Sequence, residues 1–139
     1  EAEVDRYKIA SRSIYDKELI KNLINTSKPL IVSLGMWKDK ILPKFEAKQS
    51  IDLLYCISKY PTKLDELFLK KVDFKMISGF SDHTLGITAA CASIVLGARI
   101  IEKHFTIDKN MYGPDHSCSM NPKELQLLDS FRKEFDLIN

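Results

Sequence analysis

The feature that most constrains this chain is its alternation of short β-branched apolar runs with segments of helical periodicity, the pattern of successive parallel βα units. Five runs read as strands: Arg6 to Ala10, Leu30 to Leu34, Ile51 to Ile57, Lys75 to Ile77 and Arg99 to Phe105. Between the first two, Asp16 to Asn25 puts Leu19, Ile20, Leu23 and Ile24 on one helical face, and Pro29 closes the turn that follows. Residues 38–50, which include Pro43, are too few for a helix with two loops, so an irregular connection is predicted there. Pro61 to Leu69 has room for a short helix at most. Leu85 to Leu96 reads as a small-residue helix, with Thr84 as its N-cap and Gly97 placed for a left-handed C-terminal turn. The last helix opens at Asn121-Pro122-Lys123-Glu124, a cap, a first-turn Pro and a capping-box Glu. It runs to about Phe135 with Leu125, Leu128, Phe131 and Phe135 on one face.

Parallel strands without a dinucleotide glycine fingerprint favour a barrel segment over a Rossmann sheet, although strand number alone does not separate the two. A closed (β/α)₈ TIM barrel takes about 250 residues. These 139 residues would supply about half of one, five βα units, with the missing half on the N-terminal side. The opening Glu1-Ala2-Glu3-Val4-Asp5 has no initiator Met and leads at once into the apolar stretch around Tyr7 and Ile9, so the chain reads as cut from a longer one. Charge is balanced, 21 basic against 19 acidic residues with no like-charge block, which argues against a nucleic-acid partner. The apolar stretch Leu85 to Leu96 is too short to span a bilayer, so a cytoplasmic protein with no membrane partner is expected. Cys56, Cys91 and Cys118 are odd in number and widely spaced, which fits free thiols; Cys56 and Cys91 lie in apolar runs and are expected in the core.

Polar residues gather where the strands end: Lys8 and Ser11, Ser33, Ser58 and Tyr60, then Ser81, Asp82 and His83, then Glu102 and His104. Barrel active sites are built at that rim, because each strand delivers one or two side chains to a common mouth. His83 and His104 end successive strands, which lie about 5 Å apart, so two imidazoles there can share a divalent first-row ion such as Mn²⁺. The competing reading is a pair of hydrogen-bonded structural histidines. The two-residue strand period puts Glu102 and His104 on one face and Ile101, Lys103 and Phe105 on the other. An inward Glu beside an inward His is either a buried ion pair or part of a polar site. Lys8 is either a site residue or a lysine snorkelling from a sheet edge. Ser81 to Gly86 leads into a helix start, whose N–H groups suit an anion or simply a Thr84 cap. Met36 and Trp37 read as rim packing, and the lysines at 38, 40, 44 and 48 as a solvated face.

GFSDHTLGI (79 to 87) and GARIIEKHFTIDKNMYGPDHSCSMNPKEL (97 to 125) strongly resemble the sialic acid synthase, or N-acetylneuraminate synthase, family. YKIAS (7 to 11), KPLIVSLGM (28 to 36) and LLYCISKYPT (53 to 62) extend the resemblance over the whole chain, as the C-terminal part of the catalytic barrel. The resemblance implies a transferase that condenses phosphoenolpyruvate with an N-acetylated amino sugar to a nonulosonic acid. It implies His83 and His104 as metal ligands, with Mn²⁺ expected and Mg²⁺ or Co²⁺ as alternatives, and Glu102 and His104 as the catalytic pair. Lys8, Ser11, Ser33, Ser58 and Ser81 resemble phosphoenolpyruvate contacts; Tyr60, Glu102 and Asp115 resemble amino-sugar contacts. It further implies a full-length homodimer whose C-terminal antifreeze-like domain lends an Arg across the interface, a domain absent here along with the N-terminal strands.

Three positions depart from the family pattern. Ser13 stands where many members have Glu, Ser58 replaces an Asn found in some, and the Trp37 to Ile51 connection is short. Because the phosphate ligands of one site are split across the cut, the segment alone is expected to be inactive, and its open edges to make it self-associate or aggregate. The alternatives are a non-catalytic sugar- and metal-binding protein and a phosphoenolpyruvate-dependent synthase acting on a phosphorylated sugar. The PDH and SDHTLG motifs argue against the latter.

Overall fold

In a computed structural model describing residues 3–138, five parallel strands form one sheet: β1 (Tyr7–Ile9), β2 (Leu30–Ser33), β3 (Ile51–Cys56), β4 (Gly79–Asp82) and β5 (Ile100–Lys103). The strand order is β1-β2-β3-β4-β5, each pairing with the next in sequence. A Rossmann sheet reverses direction at a switch point; this one never does, which decides for the singly wound barrel. Curvature decides it again. Edge strands β1 and β5 would stand about 19 Å apart in a flat sheet, yet Lys8 Nζ of β1 lies 3.2 Å from Glu102 Oε1 of β5. The sheet is rolled into a half-barrel whose interior side chains meet across the axis.

The first unit forms as its sequence predicts. Helix α1 (Lys17–Asn25) starts at Asp16, whose Oδ1 accepts the Leu19 N–H at 2.9 Å. Ile20, Leu23 and Ile24 pack on the buried Ile9, Ile14, Leu30 and Val32, while Leu19 is more exposed than its helical spacing suggested. No helix follows β2; the irregular connection is held by Trp37, which stacks on Tyr15 at 5.4 Å, and by Phe45, both packed against that same core. Two short 3₁₀ turns, Leu64–Glu66 and Leu69–Lys71, precede β4.

The fourth strand corrects the sequence reading. Lys75 to Ile77 is a turn, because the Asp73 carbonyl accepts the N–H groups of Met76 and Ile77 at 3.0 and 2.9 Å. The strand begins at Gly79, where a Cβ would collide with the Ile100 carbonyl of β5, so only glycine allows the two backbones this approach. Helix α2 (Thr88–Val95) starts later than expected, and Thr84 does not cap it; the Thr84 N–H instead donates to Asp82 Oδ1 at 2.8 Å. Gly97 does take the left-handed turn, with φ +106°. Cys56 is buried as expected, whereas Cys91 is only half-buried.

Helix α3 (Pro122–Leu137) has the predicted capping box, with Asn121 Oδ1 accepting the Glu124 N–H and Glu124 Oε2 accepting the Asn121 N–H, both at 2.9 Å. It runs past Phe135. Its Leu128, Phe131 and Phe135 pack with Ala90 and Ile94 of α2, while Leu125 stays largely exposed. Among the described residues no helix is long and apolar enough to cross a membrane.

Candidate active site at the carboxyl ends of the strands

Three cavities adjoin one another at the rim. The inner one, about 270 Å³, is lined by Lys8, Ser11, Ser33, Tyr60, Ser81, His83, Glu102 and His104, together with Cys56 and Lys103. A wider one of about 460 Å³ adds Ser58 and Asp115, with Arg12 and Met36 at its edge. The third, about 340 Å³, lies on the loop side of His104 beside Asp115 and His116. Every residue expected from the sequence to touch substrate or metal is thus brought to one mouth.

The polar contacts cross the half-barrel. Glu102 takes Lys8 Nζ on Oε1 at 3.2 Å and the Ser33 hydroxyl on Oε2 at 3.2 Å, so β1, β2 and β5 meet at one carboxylate. Lys8 Nζ also donates to the Ile9 carbonyl at 3.2 Å. The buried Ser11 hydroxyl accepts the Gly35 N–H at 3.0 Å and donates to Cys56 Sγ at 3.6 Å. A Cβ at Gly35 would overlap Ser58 Oγ and come within 2.8 Å of Cys56 Sγ, so the backbone itself forms the floor here.

His83 is fixed by the strand before it. Its Nδ1 lies 2.8 Å from the Ile57 carbonyl oxygen, with Cys56 Sγ a longer neighbour at 3.9 Å. A carbonyl only accepts, so the proton sits on Nδ1 and the Nε2 lone pair is free for a ligand. Burial works against the charged imidazole, but its bonds to Cys56 and Ile57 and the charge of Glu102 outweigh that and raise its pKa. Burial likewise opposes the Cys56 thiolate, yet the contacts with His83 and Ser11 bring that thiol below its ordinary value. Tyr60 lies over His83 with ring centroids 4.0 Å apart and 5.4 Å from His104. Burial, then the negative charges of Cys56, Glu102 and Asp115, push its phenol upward, so it remains a neutral hydrogen-bond donor. The His83 and His104 ring centroids are 5.5 Å apart, and His104 Nδ1 lies 3.8 Å from Asp115 Oδ1. Two imidazoles with ring centroids 5.5 Å apart, that of His83 with its Nε2 turned away from the Ile57 carbonyl, fit a first-row divalent ion.

Sequence reasoning placed Cys56 in the core and passed over Arg12 and Gly35. The available signal for Cys56 was its place as the last residue of β3, in register with Ser81. Asp82, in contrast, does not line the mouth: it pairs with Lys103 at 3.0 Å, both side chains almost wholly buried.

A singly wound half-barrel carrying its polar groups at the strand ends defines a partial TIM barrel of the enzyme-bearing kind. The NeuB family model matches residues 1–136, and the chain belongs to the NeuB family. It is 42% identical over 135 residues to the N,N'-diacetyllegionaminic acid synthase of Campylobacter jejuni, covering 88% of this chain and 40% of that protein. It is 33% identical to the N-acetylneuraminate-9-phosphate synthase of Drosophila melanogaster, covering 94% of this chain and 38% of the relative. The crystal structure of the N-acetylneuraminic acid (sialic acid) synthetase of Leptospira borgpetersenii in complex with citrate superposes with a TM-score of 0.86 at 29% identity, covering 97% of this chain and 51% of that one. The chain therefore spans about 40% of the length of these curated relatives.

Proposed function

We propose that the full-length protein condenses phosphoenolpyruvate with an N-acetylated amino sugar, N-acetylmannosamine or a relative, giving a sialic-type nonulosonic acid and phosphate. The observation that carries this reading is the meeting of Lys8, Ser33 and Glu102 in one cavity beside two imidazoles whose centroids are 5.5 Å apart. The names of the relatives, an N,N'-diacetyllegionaminic acid synthase and an N-acetylneuraminate-9-phosphate synthase, support nonulosonic acid synthesis.

His83 and His104 would hold the divalent ion, Mn²⁺ by preference, which when bound supplies Lewis-acid polarisation of the acceptor aldehyde. The other side chains bind and orient. Lys8 and the hydroxyls of Ser11, Ser33, Ser58 and Ser81 gather the phosphate and carboxylate of phosphoenolpyruvate through charge-assisted hydrogen bonds. C3 of phosphoenolpyruvate then forms the new carbon–carbon bond to the aldehyde carbon. Water adds at C2, and cleavage of the C–O bond releases phosphate. Glu102 and Asp115 accept sugar hydroxyls, and the Tyr60 phenol donates to one. When substrate arrives, Lys8 exchanges Glu102 for an anionic oxygen, freeing that carboxylate to accept a sugar proton donor.

Phosphate release from phosphoenolpyruvate by the full-length protein, with and without N-acetylmannosamine and Mn²⁺, tests the reading alongside a His104→Ala variant. Release that requires both sugar and metal and disappears in the variant is expected. Mn²⁺ binding without release across a panel of N-acetylated sugars would overturn it in favour of a non-catalytic sugar- and metal-binding protein, with Ser13 the position to restore to Glu.

A further inference from the structure

We propose that His104, Asp115 and Cys118 form a second metal site, one for thiophilic divalent ions of the Zn²⁺ class. It shares His104 with the His83–His104 pair and Asp115 with the wider cavity described above, and adds Cys118. The candidate ligand atoms of these three side chains all lie within 4.8 Å of one another. In a tetrahedral site with metal–ligand bonds of about 2.0–2.3 Å, ligand atoms stand roughly 3.5 Å apart, so closure asks for movements of about 1 Å. Asp115 is exposed and Cys118 half-buried, which leaves both side chains room to make them.

The local backbone explains why these residues converge. His116–Cys118 is a single 3₁₀ turn with Asp115 as its N-cap. Three residues per turn eclipse positions i and i+3, which sets Asp115 and Cys118 on the same side. The Cys118 N–H and Sγ both reach the Asp115 carbonyl at 3.2 Å, and the Ser119 hydroxyl reaches it at 2.7 Å. The far end of the loop is clamped beside His104, since the Met120 N–H donates to the His104 carbonyl at 2.8 Å and the Thr106 N–H to that of Met120 at 2.9 Å. His116 Nδ1 lies 2.7 Å from Thr106 Oγ1, which ties the turn to the strand end and keeps that imidazole out of the cluster. His104 Nδ1 is 3.8 Å from Asp115 Oδ1, at the wall of the loop-side cavity of about 340 Å³ that gives access from solvent.

The donor set differs in kind from the His83–His104 pair. Two imidazoles suit Mn²⁺ and its neighbours; a thiolate, an imidazole and a carboxylate with one position open suit Zn²⁺, Co²⁺ or Cd²⁺. Cys118 would bind as the thiolate, its proton passing to solvent as the metal–sulfur bond forms.

Co²⁺ titrated into the protein is the test. A thiolate-to-metal charge-transfer band in the near ultraviolet is expected in the wild type, in His83→Ala and in Cys56→Ser, and is expected to vanish in Cys118→Ser and His104→Ala. Asp115→Asn should keep the band but weaken Co²⁺ by at least about 10-fold, the smaller effect reported for lost outer-shell partners. Zn²⁺ should displace Co²⁺ from the band. A band that survives Cys118→Ser, one that requires Cys56 or His83, or no band in the wild type overturns the proposal. The readout does not involve turnover, so a protein that forms the band without releasing phosphate, or releases phosphate without forming the band, tells the two readings apart.

Discussion

Strand β5 carries two ion pairs on consecutive residues, and they could hardly differ more. Lys103 meets Asp82 at 3.0 Å with side chains 2% and 0% exposed, whereas Glu102 meets Lys8 at 3.2 Å with side chains 39% and 31% exposed. The chemistry and the distance are nearly the same; the surroundings are not. Lys103 also donates to the Thr84 carbonyl at 2.7 Å, and Asp82 accepts the Thr84 N–H at 2.8 Å, so the buried pair fixes the segment that carries His83. The outer pair faces a cavity and stays open to exchange with a ligand. One pair is architecture; the other, under the proposed function, is a resting state of the site.

The contrast is broken most forcefully at Lys103. Lys103→Met leaves Asp82 buried without a counter-charge, and a loss of about 3–5 kcal/mol is expected in urea denaturation. A loss under about 1 kcal/mol, the range of a surface pair, would erase the distinction. Lys8→Ala should cost less than about 1 kcal/mol of stability. Under the proposed function it should raise the full-length protein's KM for phosphoenolpyruvate roughly 10- to 100-fold, the worth of a hydrogen bond from a charged group. An unchanged KM with a large stability loss would make the mouth pair structural after all.

Lys109–Glu124, 2.7 Å apart with side chains 34% and 24% exposed, gives the intermediate case. Slight burial favours the neutral acid, but Lys109 and the Asn121 N–H prevail and hold the Glu124 carboxyl below its ordinary 4.5. A folded-state value below the unfolded one means the contribution is complete above about pH 4.5 and is lost as pH falls through the lower folded value. The stability difference between wild type and Glu124→Gln should therefore be about 0.2–1 kcal/mol near neutrality, the scale of a partly exposed ion pair, since Gln can still accept in the capping box. It should shrink toward zero on acidification, and a gap that widens in acid would contradict the assigned direction.

How far the sequence reveals this depends on whether the signal is local. The Asn121–Glu124 box announces its helix because caps act over three residues. The rim positions of Lys8, Ser33, Glu102 and His104 follow from strand ends and two-residue periodicity. β4 was misplaced because its residues Gly79 to Asp82 offer one large apolar side chain, Phe80, while its reason for being a strand is the close approach of Ile100 across the sheet. Lys103 was assigned the correct face but not its burial, since nothing within its strand marks Asp82 as its partner. Cys56 and Gly35 become part of the mouth only once the sheet rolls and brings Ser11 and Ser58 around them.

The roll also leaves His104 on the walls of all three cavities. A side chain so placed makes the two flanks of the mouth thermodynamically reciprocal. If both proposed sites bind, a ligand that draws the imidazole toward the Asp115 loop and weakens binding beside His83 by some factor must itself be weakened by that same factor when the site beside His83 is occupied.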